Sequence, residues 1–331
     1  MIIYCLQSLL LVSVVSVPAT SQECEVKEQT DQTHGNDNSL YYEEGGWRTH
    51  TADILVEAGP CHLPILDGRT LTNADFLRDY AYQRPFVVRD ATNQNTFRAL
   101  CQRERILADW GDSKVVLSSA NSYSYDKRTV SFRNYCDHVM APQKLKTFAN
   151  GKHLINCLKN PKKLCQINPN SMIFAETFYF FGDNDVVEWE DFFAEYKQPP
   201  YKLPMHSAAL SFGVAGPGTG VPFHFHGPGF AETLFGRKRW FLTQPEFKPE
   251  FHPNKTTLQW FLEDYERVRE ETDIMECTLR PGEVRLIIVE TGFASFRAAF
   301  VILQIIYFPD RWWHATLNID TSVFMSTFLS P

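Results

Sequence analysis

His224 and His226 are the side chains in this sequence best placed to do chemistry. They close the stretch Gly218-Thr219-Gly220-Val221-Pro222-Phe223-His224-Phe225-His226. On an extended strand, residues two apart point to the same face. Two imidazoles therefore stand side by side and could hold one metal ion. A third ligand has to come from elsewhere in the chain. The segment Tyr307-Phe308-Pro309-Asp310-Arg311-Trp312-Trp313-His314 offers His314, at the opening of another strand. Gly216-Pro217-Gly218-Thr219-Gly220 lies beside the histidines but is not followed by Gly-Lys-Ser/Thr, so it is not a phosphate loop.

The elements that must carry these residues are mostly strands. Strand-like runs occur at Phe86–Val88, Val115–Ser118, Phe178–Phe181, Cys277–Leu279, Tyr307–Phe308, His314–Leu317 and Val323–Phe328. Glu232–Phe235 and Lys238–Leu242 flank Gly236-Arg237, which predicts a hairpin. Helices are expected over 73–83, where Thr72 is the cap, and over 97–110, 187–196 and 257–271. Helices first and a strand-rich half after predict a mainly β jelly roll or sandwich with N-terminal helices.

Composition agrees with one globular unit. The chain has 331 residues, of which 44% are hydrophobic and 21% charged, so whole-chain disorder and coiled coil are excluded. Its net charge of -7 disfavours a nucleic-acid partner. Aromatics reach 14%, which leans toward sheet. Residues 1–21 read as a signal peptide, with an uncharged apolar core and a small polar run at Ala19-Thr20-Ser21. The apolar run is shorter than the ~20 residues a membrane span needs. Without Cys5, seven cysteines remain, at 24, 61, 101, 136, 157, 165 and 277, an odd number with no CxxC pair. Asn254-Lys255-Thr256 is an acceptable N-glycosylation sequon.

Together the motifs resemble the JmjC family of 2-oxoglutarate- and Fe(II)-dependent dioxygenases. That family has His-x-Asp/Glu early in its jelly roll, a Gly-x-Lys turn after it and a late His. Here the turn is Gly236-Arg237-Lys238-Arg239-Trp240, and the late segment reads Trp312-Trp313-His314-x-x-x-Asn318. The lead-in Phe76-x-x-x-Tyr80 with Arg84-Pro85-Phe86-Val87-Val88 is similar too. The resemblance spans 70–331, after a variable lead-in over 22–69. It implies a double-stranded β-helix of the cupin type, with His224, His226 and His314 on iron. Lys238 would hold the distal carboxylate of 2-oxoglutarate, and Ser326 would assist. Taken with the leader, it implies an endoplasmic reticulum (ER) lumenal protein acting on a protein substrate or partner. A signal peptide leaves histone demethylation a poor fit.

The pattern is broken at His226, where relatives carry a carboxylate. Glu232 and Asp310 are the nearby acids, neither at the expected spacing, and Ala231-Glu232 stands where relatives often carry Asn or Gln. Three-histidine iron sites exist in other cupins. Two functions follow. One is a hydroxylase with an atypical three-histidine site. The other is a non-catalytic scaffold that binds partners and modulates signalling. Two in-frame stretches, 152–176 and 285–306, interrupt the family pattern, and retained introns or gene-model errors would explain them. The second is apolar, but Glu290 and Arg297 argue against a membrane span.

Overall fold

The computed structural model describes residues 26–29, 44–47, 57–119, 126–140, 145–146, 173–174, 178–182, 187–281, 284–291 and 294–331, with side chains described outside 26–29, 145–146, 173–174 and 284–300. Residues 1–21, expected to be a signal peptide, and Cys24, Cys157 and Cys165 lie outside the described residues. Nine strands form the larger sheet: β2 (Ile65–Asp67), β3 (Phe86–Arg89), β4 (Lys114–Ser119), β5 (Lys127–Ser131), β8 (Phe178–Phe181), β9 (Ser207–Ala215), β10 (Gly229–Phe235), β15 (Gln304–Phe308) and β17 (Ser322–Ser330). Their order is β2-β3-β15-β10-β17-β9-β8-β4-β5. A smaller sheet has the order β12-β11-β16, from β11 (Lys238–Thr243), β12 (Met275–Leu279) and β16 (Trp313–Asn318). Apart from these lie β1 (Val26–Gln29) with β13 (Val284–Thr291) and β14 (Ala294–Val301), and the pair β6 (Leu145–Lys146) and β7 (Ile173–Phe174).

From β9 onward the chain alternates between the two large faces. It runs from β9 in the larger sheet to the segment 221–226 on the free edge of β16, then back to β10. It crosses again to β11 and β12, returns to β15, and ends through β16 to β17. This winding is a double-stranded β-helix. The hairpin expected around Gly236-Arg237 is therefore not formed. Both edges of β10 are taken, by β15 and β17, so Lys238 onward has to pair in the other sheet. Gly236 makes that corner with φ +74, and a Cβ there would sit 2.1 Å from the Thr321 carbonyl oxygen.

Aromatic burial fixes the two sheets face to face. Ala231, Ile306 and Phe308 of the larger sheet meet Trp240, Leu242 and Leu279 of the smaller one in one buried cluster. Trp240 and Phe308 stack with centroids 5.6 Å apart. Burying side chains of this size stabilises the pairing by roughly 2–3 kcal/mol each. A second cluster packs helices on the outer face, with Phe97, Ile106, Trp189 and Phe192 against Phe212 and Phe180.

The helices are shorter than their periodicity suggests. Helix α1 (Asn73–Asp79) opens on a reciprocal box: Asp75 N–H donates to Thr72 Oγ1, and Thr72 N–H donates to the Asp75 carboxylate. It stops before Tyr82, whose φ is +62. The helix expected over 97–110 is two, α2 (Asn95–Leu100) and α3 (Arg103–Trp110). Trp47 Nε1 donates to the Cys101 carbonyl (2.8 Å) and Arg103 N–H donates to the Gly45 carbonyl (2.8 Å), so a distant segment takes the groups that would continue the turn. Likewise α4 is only Glu190–Ala194, and 257–271 divides at Asp264 into α5 (Thr257–Glu263) and α6 (Tyr265–Glu271). Among the described residues no helix is long and apolar enough to cross a membrane.

The stretch 285–306 has two parts. The backbone of β13 and β14 forms a hairpin paired with β1. Gln304, Ile305 and Ile306 belong to β15, where Ile305 and Ile306 pair with both β3 and β10 and are buried. Of 152–176, only the backbone of 173–174 is described.

Candidate metal centre

One pair of backbone hydrogen bonds joins His224 to His314. His224 N–H donates to the His314 carbonyl (3.0 Å) and His314 N–H to the His224 carbonyl (2.8 Å). Each imidazole is then fixed by a carbonyl close in sequence. The Nδ1 atoms of His224, His226 and His314 lie 2.8 Å from the carbonyl oxygens of Pro222, Gly227 and Trp312. A carbonyl only accepts, so each Nδ1 carries the proton and each Nε2 presents a bare lone pair. The Nε2 atoms of His226 and His314 are 3.2 Å apart, and a ligand atom from each of the three histidines lies within 4.8 Å of the others. Bare lone pairs this close repel unless a cation sits between them. The 3.2 Å spacing is near that of two nitrogens sharing one ion through bonds of about 2.0–2.1 Å.

Burial keeps these rings neutral, the form that ligates. Desolvation lowers the His224 pKa to about 4 and holds His226 below the usual histidine range. His314 is pushed well below that range, first by burial and then by its two histidine neighbours. A divalent ion fits this donor set.

The same cavity holds the two residues expected to bind a carboxylate. Lys238 and Ser326 line it with the three histidines, under walls of Phe181, Trp240, Phe308, Phe324 and Phe328. Lys238 is 4% exposed, and no acidic side chain pairs with it among the described residues. Its Nζ donates to Asn318 Oδ1 (3.1 Å) and lies 3.7 Å from the centre of the Phe324 ring. Burial alone pushes its amine down to about 7. Between about 7 and the unfolded value near 10.5, the unfolded chain binds the extra proton. Stability should therefore rise with pH across that window. Denaturation at pH 7 and pH 9 should show this rise in wild type, and a flatter response in Lys238→Met. Equal slopes would refute the assignment.

The donor set suits a carboxylate, but the space is small. The cavity is about 30 Å³, room for only a few waters at roughly 10–15 Å³ each. A five-carbon diacid needs more room than this, and the Phe324 ring covers the Lys238 amine it would pair with.

No family model matches the chain. Human JmjC domain-containing protein 8 is 42% identical over 286 residues, 86% of this chain and 90% of the human one. The chain belongs to the JmjC family. The rat JmjC domain-containing protein 8 is likewise 42% identical over 290 residues. Lysine-specific demethylase JMJ21 of Arabidopsis thaliana matches at 32% over 103 residues, 27% of this chain and 9% of that one. Among solved structures, Escherichia coli YcfD is 15% identical with a TM-score of 0.39, across 79% of this chain and 53% of that one.

In this JmjC protein neither nearby acid replaces the carboxylate missing at 226. Along β10, Ala231 faces the inter-sheet cluster, so Glu232 faces the helices. Its Oε2 accepts from Tyr196 Oη (3.0 Å) and Gln94 Nε2 (3.1 Å), and its Oε1 from Thr92 (3.3 Å). Burial raises this carboxyl to about 7 despite those donors. Asp310 pairs with Arg311 (3.2 Å) and stays outside the histidine cluster. Phe181 lines the cavity, whereas Phe225 is 50% exposed and packs edge-on to Trp313. Asn254 is exposed in the turn before α5. Phe324 and Phe328 share the Ser326 face of β17, a period-two signal that could have marked both as cavity walls.

Proposed function

We propose that this JmjC protein works in the ER lumen as an Fe(II)- and 2-oxoglutarate-dependent hydroxylase of a protein side chain. The observation that carries the proposal is the triplet of carbonyl-tethered imidazoles facing one point beside a buried, acid-free lysine. His224, His226 and His314 would hold the iron, which when bound supplies open positions for the oxo acid and dioxygen. Lys238 would hold the far carboxylate, with Ser326 beside it. The aromatic walls exclude water and raise the strength of that charge pairing. The exposed sequon at Asn254 fits glycosylation in the same compartment.

A second reading has its own observation. The cavity of about 30 Å³, closed by Phe324 over Lys238, suits a metal-stabilised scaffold that docks partners without turnover. Metal content and 2-oxoglutarate decarboxylation by purified lumenal protein separate the two. Iron with turnover supports the hydroxylase; metal without turnover in folded protein supports the scaffold. Lack of metal in folded protein rejects the metal centre itself. His226→Asp asks whether a carboxylate raises turnover.

Phe324→Ala is expected to open the cavity and tighten 2-oxoglutarate binding by about tenfold, because the ring no longer competes for the ammonium. Calorimetric titration of the Mn(II)-loaded protein reads this. Unchanged affinity would show that Phe324 is no barrier.

A further inference from the structure

We propose that Asn318 is the positioning residue that aims the Lys238 ammonium into the cavity and ties it to the segment carrying His224 and His226. The proposal rests on Lys238 being the carboxylate-binding cation. Asn318 is 1% exposed and sits directly opposite Lys238 in the β11–β16 register. Its amide has one possible orientation. Nδ2 donates to the Thr219 carbonyl (2.9 Å) and to Thr219 Oγ1 (3.1 Å), whose own proton goes to the Gly216 carbonyl (2.5 Å). Oδ1 is thereby turned to Lys238 Nζ, which donates to it at 3.1 Å.

The backbone of the same loop is clamped to the same residue. Asn318 N–H donates to the Thr219 carbonyl (2.8 Å), and Gly218 N–H donates to the Asn318 carbonyl (2.8 Å). Gly220 follows, lying so flat on β16 that a Cβ would be 1.8 Å from the Thr316 carbonyl oxygen. Thr316 N–H then donates to the Val221 carbonyl (2.9 Å), and His224 bridges to His314. One ribbon, 216–226, thus holds Asn318, the partner of the lysine, at one end and carries two imidazoles at the other.

The choice of an amide has a chemical consequence. Asn318 orders the amine without adding a counter-charge, so the positive charge of its protonated form is left for a ligand. Aspartate at the same place would provide an internal counter-ion and compete with any incoming carboxylate.

Asn318→Asp and Asn318→Ala test this in the full chain. Titrations of Mn(II), and of 2-oxoglutarate into Mn(II)-loaded protein, are compared with 15Nζ lysine resonances of the metal-free protein across pH. Both variants should bind Mn(II) as wild type does. Both should bind 2-oxoglutarate at least about tenfold more weakly, the scale of losing a hydrogen bond to a charged group. In Asn318→Asp the Lys238 amine should titrate at higher pH than in wild type. Wild-type 2-oxoglutarate affinity in either variant, or an unmoved Lys238 titration in Asn318→Asp, overturns the proposal. Should the wild type bind no 2-oxoglutarate, the hydroxylase reading falls, and the lysine resonance alone then decides the role of Asn318. Asn318→Ser replaces the alanine variant if that one does not fold.

Discussion

His314→Ala is expected to abolish metal binding at the proposed three-histidine centre and leave the fold in place. His314 is the most buried of the three imidazoles, at 2% exposure. Its ring lies 4.3 Å from His224 and 4.7 Å from His226 by centroid, and packs on Phe308 at 5.1 Å. Its backbone, which the substitution keeps, makes the bridge to His224. Loss of the side chain takes away one of three donors and the partner across the 3.2 Å contact with His226. Loss of an outer-shell hydrogen bond to a ligand already costs 10–100-fold in metal affinity, so removal of the ligand itself should cost at least about 100-fold. Elemental analysis of purified protein, with circular dichroism as the check on folding, reads the outcome. A folded His314→Ala protein that keeps wild-type metal content would sink the three-histidine centre. His314→Gln guards against a packing defect, because it fills most of the volume without offering an imidazole.

The histidine cluster was legible because it rests on short-range rules. The i, i+2 spacing of His224 and His226 puts both in the cavity, and the late His314 and the Gly-x-Lys turn came with a family pattern. Family membership is supported by 42% identity to the human relative. The errors came from long-range facts. Gly236-Arg237 has hairpin chemistry, but β10 already has neighbours on both sides, 73 to 99 residues later in the chain. The break between α2 and α3 depends on Trp47, 54 residues before the carbonyl it captures. The carboxylate question at 226 was likewise settled by strand alternation: Glu232 lies on the wrong face of β10, buried among Tyr196, Gln94 and Thr92. The role of Asn318 was hidden for the same reason, since its partner in register is 80 residues away.

The second large effect concerns cysteines whose pairing the sequence left open. Cys61 and Cys277 form a disulfide across a separation of 216 residues, while Cys101 and Cys136 are free and buried. Cys61 is exposed and belongs to a strap over residues 57–64 that lies along β12. His62 N–H donates to the Glu276 carbonyl (2.8 Å), Glu276 N–H donates to His62 Nδ1 (3.3 Å), and Thr278 donates to the Ala58 carbonyl. Beneath the strap, Gly59 (φ +70) lies so close to the Arg239 guanidinium that a Cβ would be 2.5 Å from it, and Arg239 is paired with buried Glu276. A cross-link closing so long a loop restricts the unfolded chain strongly, by roughly 5 kcal/mol in the chain-entropy limit. Cys61→Ser, at an exposed position, should therefore lower unfolding free energy by about 3–5 kcal/mol. Wild type in dithiothreitol should fall by the same amount, and the variant should not respond to the reductant. Chemical denaturation of the four samples reads this directly. Equal stability of oxidised and reduced wild type would mean that the strap is held by its hydrogen bonds and the covered ion pair alone. The dependence also favours an oxidising compartment, where such a bond persists, and so bears on the proposed ER lumenal location through a measurement made entirely in vitro.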